Sequence, residues 1–482
     1  MNDINILEES FGKIKSYIQA INESTLPVVK FREPSELHEA IDFKIGRQGV
    51  TESEFLELLD KYLDYSVRTG NKQFLNQLFS GFNFPAFIGE VFTVLANTSM
   101  YTYEVAPVAT VIETEMIGLM NSYAGYSDGD GIFVSGGSNA NLIAMFSARN
   151  QILPQSRFEG YNITHQLKAF VSDQAHYSFE TAANIIGIGA GNVIKVKSDD
   201  NGRMIPDELK RLIDESISRG EKPFFVAATC ATTILGAYDP INEMAEICSK
   251  YGIWLHADGS FGGSLILSNK HKHLMKSIEK TDSFAWNPHK LMNIPLICSV
   301  LLIKKRGVLQ HNITDINTDY IFHNIDEIED LGKKSIQCGR KVDAVKLWFA
   351  WKYFGLNGYQ NRIDNLIAMA KYAEEKVKSL PQFELVAPRQ SFTVCFRFVP
   401  GHEADLNEFN LEVREVLRKS GKSIVNYGYI DKILVIRLIA ANAELTQPDI
   451  DLFFENYITE AKKLESRNLA KIIRRKAYTA SL

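Results

Sequence analysis

The stretch Phe284-Ala-Trp-Asn-Pro-His-Lys290 begins with a short apolar run that has the length and composition of a buried β-strand. Lys290 therefore follows a strand end in an apolar setting. Desolvation in such a setting lowers the pKa of a lysine and frees its amine to attack a carbonyl carbon. A lysine taken alone is most often a surface residue, but the Asn-Pro-His sequence that precedes Lys290 distinguishes it from an ordinary surface lysine. The stretch predicts a reactive lysine at the edge of a sheet.

Short apolar runs of the same kind recur on both sides of this stretch, and longer amphipathic segments separate several of them. Each run is rich in β-branched or aromatic residues and is bounded by Gly, Asp, Ser or Asn. This alternation predicts an α/β fold whose mostly parallel sheet is buried on both faces. The other runs are Gly131–Val134, Ala169–Val171, Val193–Val196, Phe224–Ala228, Trp254–Ala257 and Ser299–Ile303.

The flanking parts of the chain have different patterns. Residues 5–21 and 52–68 have the spacing of amphipathic helices, and we expect Gly70 to end the second one. Residues 342–378 predict a long helix with a break near Gly355–Gly358. The remaining segments predict a smaller α+β C-terminal domain, with strands at 392–398 and 433–439 and helices at 406–419 and 448–465.

Composition argues against several classes of protein. The formal net charge of −5 over 482 residues disfavours a nucleic-acid partner, because phosphate binding needs a basic face. No run of about 18 uncharged apolar residues is present and the N-terminus lacks the apolar core of a signal peptide, so no membrane association is expected. The five cysteines are scattered without a CxxC pair, which favours reduced thiols in the cytoplasm. We expect Cys338 to be a buried core thiol.

Three further segments should meet Lys290 at the carboxyl edge of the sheet, where open α/β sheets bind ligands. Ser135-Gly-Gly-Ser-Asn139 precedes a helical stretch and can cradle a phosphate, because backbone N–H groups and the helix dipole favour an anion. Its alternative is a glycine turn capped by Ser138. Asp258 can hold a pyridine nitrogen protonated, or it can simply cap a loop. His176 can stack on a flat ring, or it can be an ordinary loop histidine.

The order of these elements is more specific than any one of them. An anion loop, a stacking histidine, a ring-nitrogen acid and a lysine follow one another along the chain. That order predicts an enzyme that uses pyridoxal-5'-phosphate (PLP). A metal site made from His176, His256, Asp258 and His289 is the alternative. No HxxxH or HxH pair occurs among them, which disfavours a metal.

The chain resembles the group II PLP-dependent amino acid decarboxylases, and in particular the glutamate and cysteine-sulfinate decarboxylase branch. The resemblance covers nearly the whole sequence, and the Asn-Pro-His-Lys tetrad ending at Lys290 is its most diagnostic part. The other matching segments are Thr69-Gly70, Phe74–Gly81, Asn97-Thr98, Tyr101–Pro107, Gly129–Phe133, Gly136–Ser138, Thr232-Thr233, Gln337–Arg340, Arg437 and Asn442.

This resemblance implies a PLP enzyme of fold type I, similar to aspartate aminotransferase, that decarboxylates a small amino acid. Glutamate, aspartate, cysteine sulfinate and cysteate are the candidate substrates, and the residues around Gln77 favour the cysteine-sulfinate type. It also implies a homodimer with active sites at the interface. Residues 1–95 would be a helical segment that clasps the partner, residues 96–355 the large PLP-binding domain, and residues 356–482 the small domain.

Individual roles carry over onto the matching positions. Lys290 is expected to hold PLP as a Schiff base, Asp258 to pair with the pyridinium nitrogen, and His176 to stack over the ring; these three are the expected catalytic residues. Arg437 is expected to grip the substrate carboxylate as a bidentate fork, and Gln77 to recognise the acidic side chain. The other expected cofactor contacts are Gly137, Ser138, Asn139, Thr233, Asn287 and His289.

The segment Tyr320–Ser335 departs from the family pattern, because it is shorter than the family's mobile loop. Ile325 falls about where the family has the tyrosine that protonates Cα, and His323 is a candidate substitute. An intermediate that is not protonated quickly can react with oxygen. Oxidation to an aldehyde is therefore the alternative to simple decarboxylation. A non-catalytic paralogue is a third possibility, and the intact Lys290, Asp258 and His176 set disfavours it.

A second departure follows Asp258. The family usually has two alanines there, whereas this chain has Gly259 and Ser260, and Phe261 stands in place of the usual tryptophan. We therefore expect the other face of the cofactor to be less filled and more polar than in the family.

Overall fold

The computed structural model describes residues 3–23, 26–161, 166–313, 321–322 and 330–480. Its α-helices are α1 (Asp3–Asn22), α2 (Pro34–Ala40), α3 (Glu52–Tyr65), α4 (Phe84–Ala96), α5 (Pro107–Ala124), α6 (Gly137–Ile152), α7 (Ser156–Glu159), α8 (Ser178–Ile185), α9 (Pro206–Ser218), α10 (Ile241–Tyr251), α11 (Val308–Ile313), α12 (Asp343–Ser379), α13 (Leu406–Ser420) and α14 (Gln447–Ala480). Its strands are β1 (Phe74–Leu75), β2 (Asp130–Val134), β3 (Leu167–Ser172), β4 (Val193–Val196), β5 (Lys222–Thr229), β6 (Trp254–Gly259), β7 (Ser283–Trp286), β8 (Ser299–Ile303), β9 (Phe383–Leu385), β10 (Thr393–Phe398), β11 (Ile424–Ile430) and β12 (Ile433–Ile439). Within the described ranges, no helix combines the length and the apolar composition needed to cross a bilayer.

The chain divides into two compact units. One is Asn83–Ile367, and the other combines Met1–Phe82 with Ala368–Leu482. The functional segments predicted at 1–95, 96–355 and 356–482 stay a prediction, because compactness does not assign a function to a segment.

The unit Asn83–Ile367 is built on a seven-stranded sheet in the order β2-β8-β7-β6-β5-β3-β4. Four of the strand pairings are parallel, and only β8 runs against its neighbours. Side chains of β2, β5, β6, β7 and β8 are buried almost throughout, as expected when helices cover both faces of a sheet. The predicted mostly parallel α/β sheet is confirmed.

The strand directions place several loop segments at one edge of this sheet. Because β8 is antiparallel to both β7 and β2, β2 runs in the same direction as β7. The carboxyl ends of β2, β3, β5, β6 and β7 therefore share one edge, which is the usual ligand-binding edge of an open α/β sheet.

The other unit contains a five-stranded sheet in the order β1-β11-β12-β10-β9. The two-residue strand β1 joins it in parallel, and the remaining pairs are antiparallel. Apolar side chains from α13, α14 and the sheet form its core, in which Phe396 and Tyr457 are fully buried. The predicted break in α12 is confirmed, since Gly355 has a φ of 66° and interrupts the helical backbone.

The predicted end of the second helix is wrong. Helix α3 ends at Tyr65, whereas the predicted helix extended to Arg68, and Gly70 does not cap it. The chain leaves the helix because Arg68 is buried there and bonds elsewhere: its backbone N–H donates to Val28 O at 2.8 Å and its Nη1 donates to Pro27 O at 3.2 Å. These partners are distant in sequence, so local helical spacing could not reveal them.

The prediction for Cys338 is also wrong, because this thiol is exposed. It lies between the turn that ends at Lys334 and the start of α12, in a segment without regular structure. The other four cysteines, Cys230, Cys248, Cys298 and Cys395, are buried, and all five are free thiols.

Candidate active site

Three candidate catalytic side chains meet at the carboxyl edge of the seven-stranded sheet. Lys290 follows β7, Asp258 lies near the end of β6, and His176 follows β3. The charges of Lys290 and Asp258 both act on His176, and that of Asp258 acts on Lys290. The structure thus brings together His176 and Lys290, which are 114 positions apart in the sequence.

Lys290 is held by a tight turn that starts where β7 ends. Its backbone N–H donates to Asn287 O at 3.0 Å, and Met292 N–H donates to Pro288 O at 3.2 Å. Burial lowers the pKa of Lys290 to about 8, although the nearby Asp258 carboxylate opposes this change. An amine with this pKa is substantially neutral, and hence nucleophilic, at mildly alkaline pH.

Asp258 is a buried carboxylate that accepts two hydrogen bonds. Its Oδ1 accepts the Ser260 backbone N–H at 3.0 Å, and its Oδ2 accepts Asn141 Nδ2–H at 2.9 Å. Burial raises the pKa of Asp258, but the hydrogen bonds from Ser260 and Asn141 and the electrostatic effects of His256 and Lys290 outweigh burial and lower the pKa below its ordinary value. Asp258 is therefore ionised and able to pair with a protonated base.

His176 is held in one orientation by its neighbours. Its Nδ1 accepts the Ser178 backbone N–H at 3.3 Å, and its ring centroid lies 4.3 Å from that of Tyr177. Burial lowers the pKa of His176, and the Lys290 charge lowers it further against the opposing effect of Asp258. The imidazole is therefore neutral, with its proton on Nε2.

The predicted anion loop is the open N-terminus of α6. Gly136 precedes the helix with a φ of 130°, and no side chain caps the first turn, so the alternative of a Ser138 cap is wrong. A Cβ at Gly137 would lie 2.4 Å from Ser260 Oγ and 2.8 Å from Asn287 Nδ2. A side chain at this position would displace both groups, and the uncapped backbone N–H groups are available to an anion.

Buried polar atoms near this helix start have no protein partner among the described residues. They are Asn139 Oδ1, Ser260 Oγ and Asn287 Oδ1. Buried polar groups are normally satisfied, so these atoms indicate where a polar ligand binds. The site fits PLP: the α6 N-terminus suits its phosphate, the ionised Asp258 suits its ring nitrogen, and the Lys290 amine suits its aldehyde.

Two other predicted contacts lie at the same edge. His289 is buried, and its Nδ1 lies 3.1 Å from Cys298 N and 2.7 Å from Cys298 O, which holds the ring in place. Burial lowers the pKa of His289 to about 4, so the ring is neutral at physiological pH. Thr233 lies in the turn after β5, next to Thr232, whose Oγ1 accepts Ala237 N–H.

The two predicted substrate residues belong to the other compact unit. Arg437 is a buried residue of β12, opposite Cys395 in β10 and Asn426 in β11. Burial lowers the pKa of its guanidinium. Gln77 is half-buried and follows β1. The predictions for Tyr320, His323 and Ile325 fall outside the described residues.

Sequence reasoning missed Asn141 and considered His256 only as a metal ligand. Asn141 lies four positions after Gly137, on the same face of α6, and both of its neighbours are apolar. The sequence feature that could have identified Asn141 is a polar residue between apolar neighbours, one helical turn after the glycines of the predicted phosphate loop. Among the described residues, no three His, Cys, Asp or Glu side chains group in a way that could hold a metal ion.

This fold and this site define a PLP-dependent enzyme of fold type I. Residues 34–399 match the family model described as the pyridoxal-dependent decarboxylase conserved domain. The chain therefore belongs to the pyridoxal-dependent decarboxylase family, and it is an amino acid decarboxylase that uses PLP.

Similar proteins cover almost the same length. Cysteine sulfinic acid decarboxylase of Mus musculus is 37% identical over 92% of this chain and 94% of that protein. Acidic amino acid decarboxylase GADL1 of Bos taurus is 34% identical over 90% of this chain and 86% of that protein. The crystal structure of the mouse enzyme CSAD in apo form superposes with a TM-score of 0.91, at 36% identity over 95% of this chain and 98% of that one.

Proposed function

We propose that this enzyme decarboxylates a small acidic or sulfur-acid L-amino acid and prefers cysteine sulfinate to glutamate, aspartate and cysteate. The observation that carries the proposal is the 37% identity, over nine-tenths of both chains, to a cysteine sulfinic acid decarboxylase. The match to an acidic amino acid decarboxylase supports the broader substrate class. The half-buried Gln77 supports it as well, since an amide N–H can donate to a sulfinate or carboxylate oxygen.

The proposed roles in cofactor binding follow from the environment of each group. Lys290 carries the cofactor covalently, because its amine has a lowered pKa. The N–H groups of Gly137 and Ser138, with Asn139 and His289, hold the phosphate. Asn287 lines the cofactor, as does Thr233 from the turn after β5.

Asp258 and His176 would direct the chemistry. When bound, PLP supplies a ring that accepts the electron pair of the Cα–carboxylate bond as CO2 leaves. Asp258, ionised in the resting site, keeps a proton on the ring nitrogen by pairing with its charge. His176, neutral and held by the Ser178 N–H, presents a flat face against which a ring can stack.

Arg437 would orient the substrate. Its guanidinium matches the planar geometry of a carboxylate and can donate two parallel hydrogen bonds to it. Burial strengthens such a contact, since fewer waters compete for the charge. By holding the substrate carboxylate, Arg437 would select the bond that breaks.

A product assay tests the proposal. Purified enzyme loaded with PLP is supplied separately with cysteine sulfinate, cysteate, aspartate and glutamate, and CO2, amine, aldehyde and peroxide are measured. We expect one amine per CO2 and the highest kcat/KM for cysteine sulfinate, with Lys290→Ala as the inactive control. A higher kcat/KM for glutamate would overturn the substrate preference, and turnover of none of the four would overturn the substrate class.

The same assay tests oxidation as a second candidate activity. The resemblance favours it, because Ile325 falls about where the family has a proton-donating tyrosine. Aldehyde and peroxide formed in step with CO2, with oxygen consumed, would replace simple decarboxylation as the proposed reaction.

We also infer that the enzyme is a homodimer with active sites at its interface. Helices α4 and α5 expose large apolar side chains, among them Phe92, Leu95 and Val108. An apolar surface of this kind is normally covered by a partner. Light scattering should give twice the 54.4-kDa chain mass, and Leu95→Glu should shift it toward the monomer. Ile217→Glu, on exposed helix α9, is the matched control, and a monomeric parent enzyme would contradict the inference.

Five free thiols support a reducing compartment, and we propose the cytoplasm. Cell fractionation with an antibody to the native chain tests this location. Recovery in the fraction of an oxidising compartment would contradict it.

A further inference from the structure

A line of four hydrogen bonds leads through the core to Asp258, the residue proposed to pair with the ring nitrogen of PLP. Trp254 Nε1 lies 2.8 Å from Ser283 Oγ, and Ser283 Oγ lies 2.8 Å from His256 Nδ1. His256 Nε2 lies 3.0 Å from Asn141 Oδ1, and Asn141 Nδ2 lies 2.9 Å from Asp258 Oδ2. All five side chains are buried, so water does not compete for these bonds.

The two ends of the line determine the direction of every bond. An indole N–H can only donate, so Ser283 Oγ accepts from Trp254, and its own O–H remains available to His256 Nδ1. The neutral imidazole then has its proton on Nε2 and donates it to Asn141 Oδ1.

At the other end, an ionised carboxylate can only accept, so Asn141 directs Nδ2–H toward Asp258. A flipped Asn141 amide would place its oxygen against the carboxylate, and it would offer His256 Nε2–H no acceptor.

The imidazole in the middle of the line is enclosed. It stacks on Phe225 with ring centroids 5.8 Å apart, and it meets Phe179 edge-on at 6.2 Å. Burial lowers the pKa of His256, so the ring stays neutral and its two nitrogens keep opposite roles. A neutral histidine with one donor and one acceptor is what this line requires.

We propose that His256 and Asn141 are positioning residues that hold the Asp258 carboxylate ionised and in one orientation, so that it keeps the ring nitrogen of PLP protonated. The proposal rests on the role proposed above for Asp258. The imidazole prevents the Asn141 amide from flipping, and the amide donates to one carboxylate oxygen. The Ser260 N–H donates to the other, and each oxygen keeps a further lone pair for the ring N–H.

Other ionisable groups face Asp258 from neighbouring elements. Lys290 follows β7, His176 follows β3, and the buried thiol of Cys230 follows β5. None of the three belongs to the line of hydrogen bonds among the described residues. Their contributions should persist when His256 is changed, which allows the effect of His256 to be separated from theirs.

The experiment measures the proton on the cofactor directly. Enzyme is reconstituted with PLP that carries 15N in its ring, and the 15N chemical shift of the pyridine nitrogen is followed from pH 6 to pH 9. We expect a protonated nitrogen throughout in the parent enzyme. In His256→Phe, which keeps a flat ring but removes both nitrogens, we expect a nitrogen that deprotonates within this range, with at least a tenfold loss of proton affinity.

A conservative variant and a matched control make the result specific. His256→Gln can place an N–H near Asn141 Oδ1 and should restore the protonated signal. Ser264→Ala removes another buried serine hydroxyl, which accepts from Trp286 Nε1 at 2.8 Å outside the line, and should leave the signal unchanged. If His256→Phe fails to take up PLP, Asn141→Ala cuts the next bond and should give the same deprotonation.

The outcomes separate this inference from the proposed function. Asp258→Asn should deprotonate the ring nitrogen, and if it does not, the role proposed for Asp258 fails. If Asp258→Asn deprotonates the nitrogen but neither His256→Phe nor Asn141→Ala does, only the positioning role fails. The positioning role also fails if the ring nitrogen deprotonates in His256→Phe and His256→Gln does not restore the protonated signal.

Discussion

Arg340 Nη1 lies 2.8 Å from Glu113 Oε2, and both side chains are almost completely buried. The other oxygen of Glu113 accepts the Phe133 N–H at 3.2 Å, and Arg340 Nη1 also lies 3.3 Å from Phe133 O. The ion pair thus holds the backbone N–H and C=O of Phe133, a residue of β2 that lies three positions before Gly136. It fixes the direction in which the chain enters the anion loop.

Removing one partner of this ion pair should destabilise the fold. Arg340→Met leaves the Glu113 carboxylate buried and unpaired, which costs about 3–5 kcal/mol in comparable sites. We expect a lower thermal midpoint for the PLP-free protein, and partial recovery in the Arg340→Met, Glu113→Leu double variant. Arg211→Met breaks a solvent-exposed ion pair with Glu208 and should change the midpoint little. Equal effects of the two single substitutions would contradict this account.

The stability of the PLP-free protein should depend on pH through Lys290. The folded-state pKa of about 8 lies below the ordinary 10.5, so between these values the unfolded chain binds more protons and stability rises with pH. Below pH 8 the folded protein bears the full cost of burying the charge. Lys290→Met should therefore raise the urea midpoint at pH 7, and this gain should shrink by pH 10.

Lys290→Arg is the control for that experiment, because arginine keeps its charge at both pH values and should give no relief. A gain for Lys290→Met that is the same at pH 7 and pH 10 would show that lost ionisation is not its cause.

Gly137→Ala should weaken PLP binding more than folding. The new Cβ would lie 2.4 Å from Ser260 Oγ and 2.8 Å from Asn287 Nδ2, so it displaces Asn287, which we propose lines the cofactor, and Ser260 beside it. We expect the Kd for PLP, measured by fluorescence titration, to rise about tenfold or more, and Ser260→Gly to restore part of the affinity. Gly118→Ala in α5 meets no atom within 4 Å and should leave the Kd unchanged.

Arg437→Lys should impair substrate binding while the charge is retained. Lysine cannot reproduce the two parallel hydrogen bonds of a guanidinium, and a lost charged hydrogen bond corresponds to a rise in KM of about 10- to 100-fold. Arg397→Lys, in neighbouring strand β10, changes an ion pair with Glu384 and serves as the control. An unchanged KM for Arg437→Lys would remove Arg437 from the substrate site.

Cys338 should be the one cysteine of the native protein that reacts rapidly with a thiol reagent. Its thiol is exposed, whereas burial raises the pKa of the other four and suppresses the reactive thiolate. We expect one fast equivalent per native chain, five after denaturation, and none that is fast in Cys338→Ser. More than one fast equivalent in the native protein would contradict the burial of the others.

The sequence by itself determined the strands of the PLP-binding sheet and the chemical character of its edge. Runs such as Ser299–Ile303 are apolar and strand-length, and such runs form buried strands whatever their partners. The order of loop, histidine, acid and lysine that ends at Lys290 was readable for the same reason, because each element lies at or shortly after a strand end. The individual roles of these residues stay predictions.

Only the tertiary structure decided which polar groups meet. The bond from His256 to Asn141 joins residues 115 positions apart, and that from Arg340 to Glu113 joins residues 227 positions apart. The end of α3 at Tyr65 and the exposure of Cys338 were likewise unreadable, since they depend on what surrounds each residue in the folded chain. Hydrophobic periodicity records whether a side chain is buried, whereas hydrogen bonds require donors and acceptors at specific distances, and only the folded backbone sets those distances.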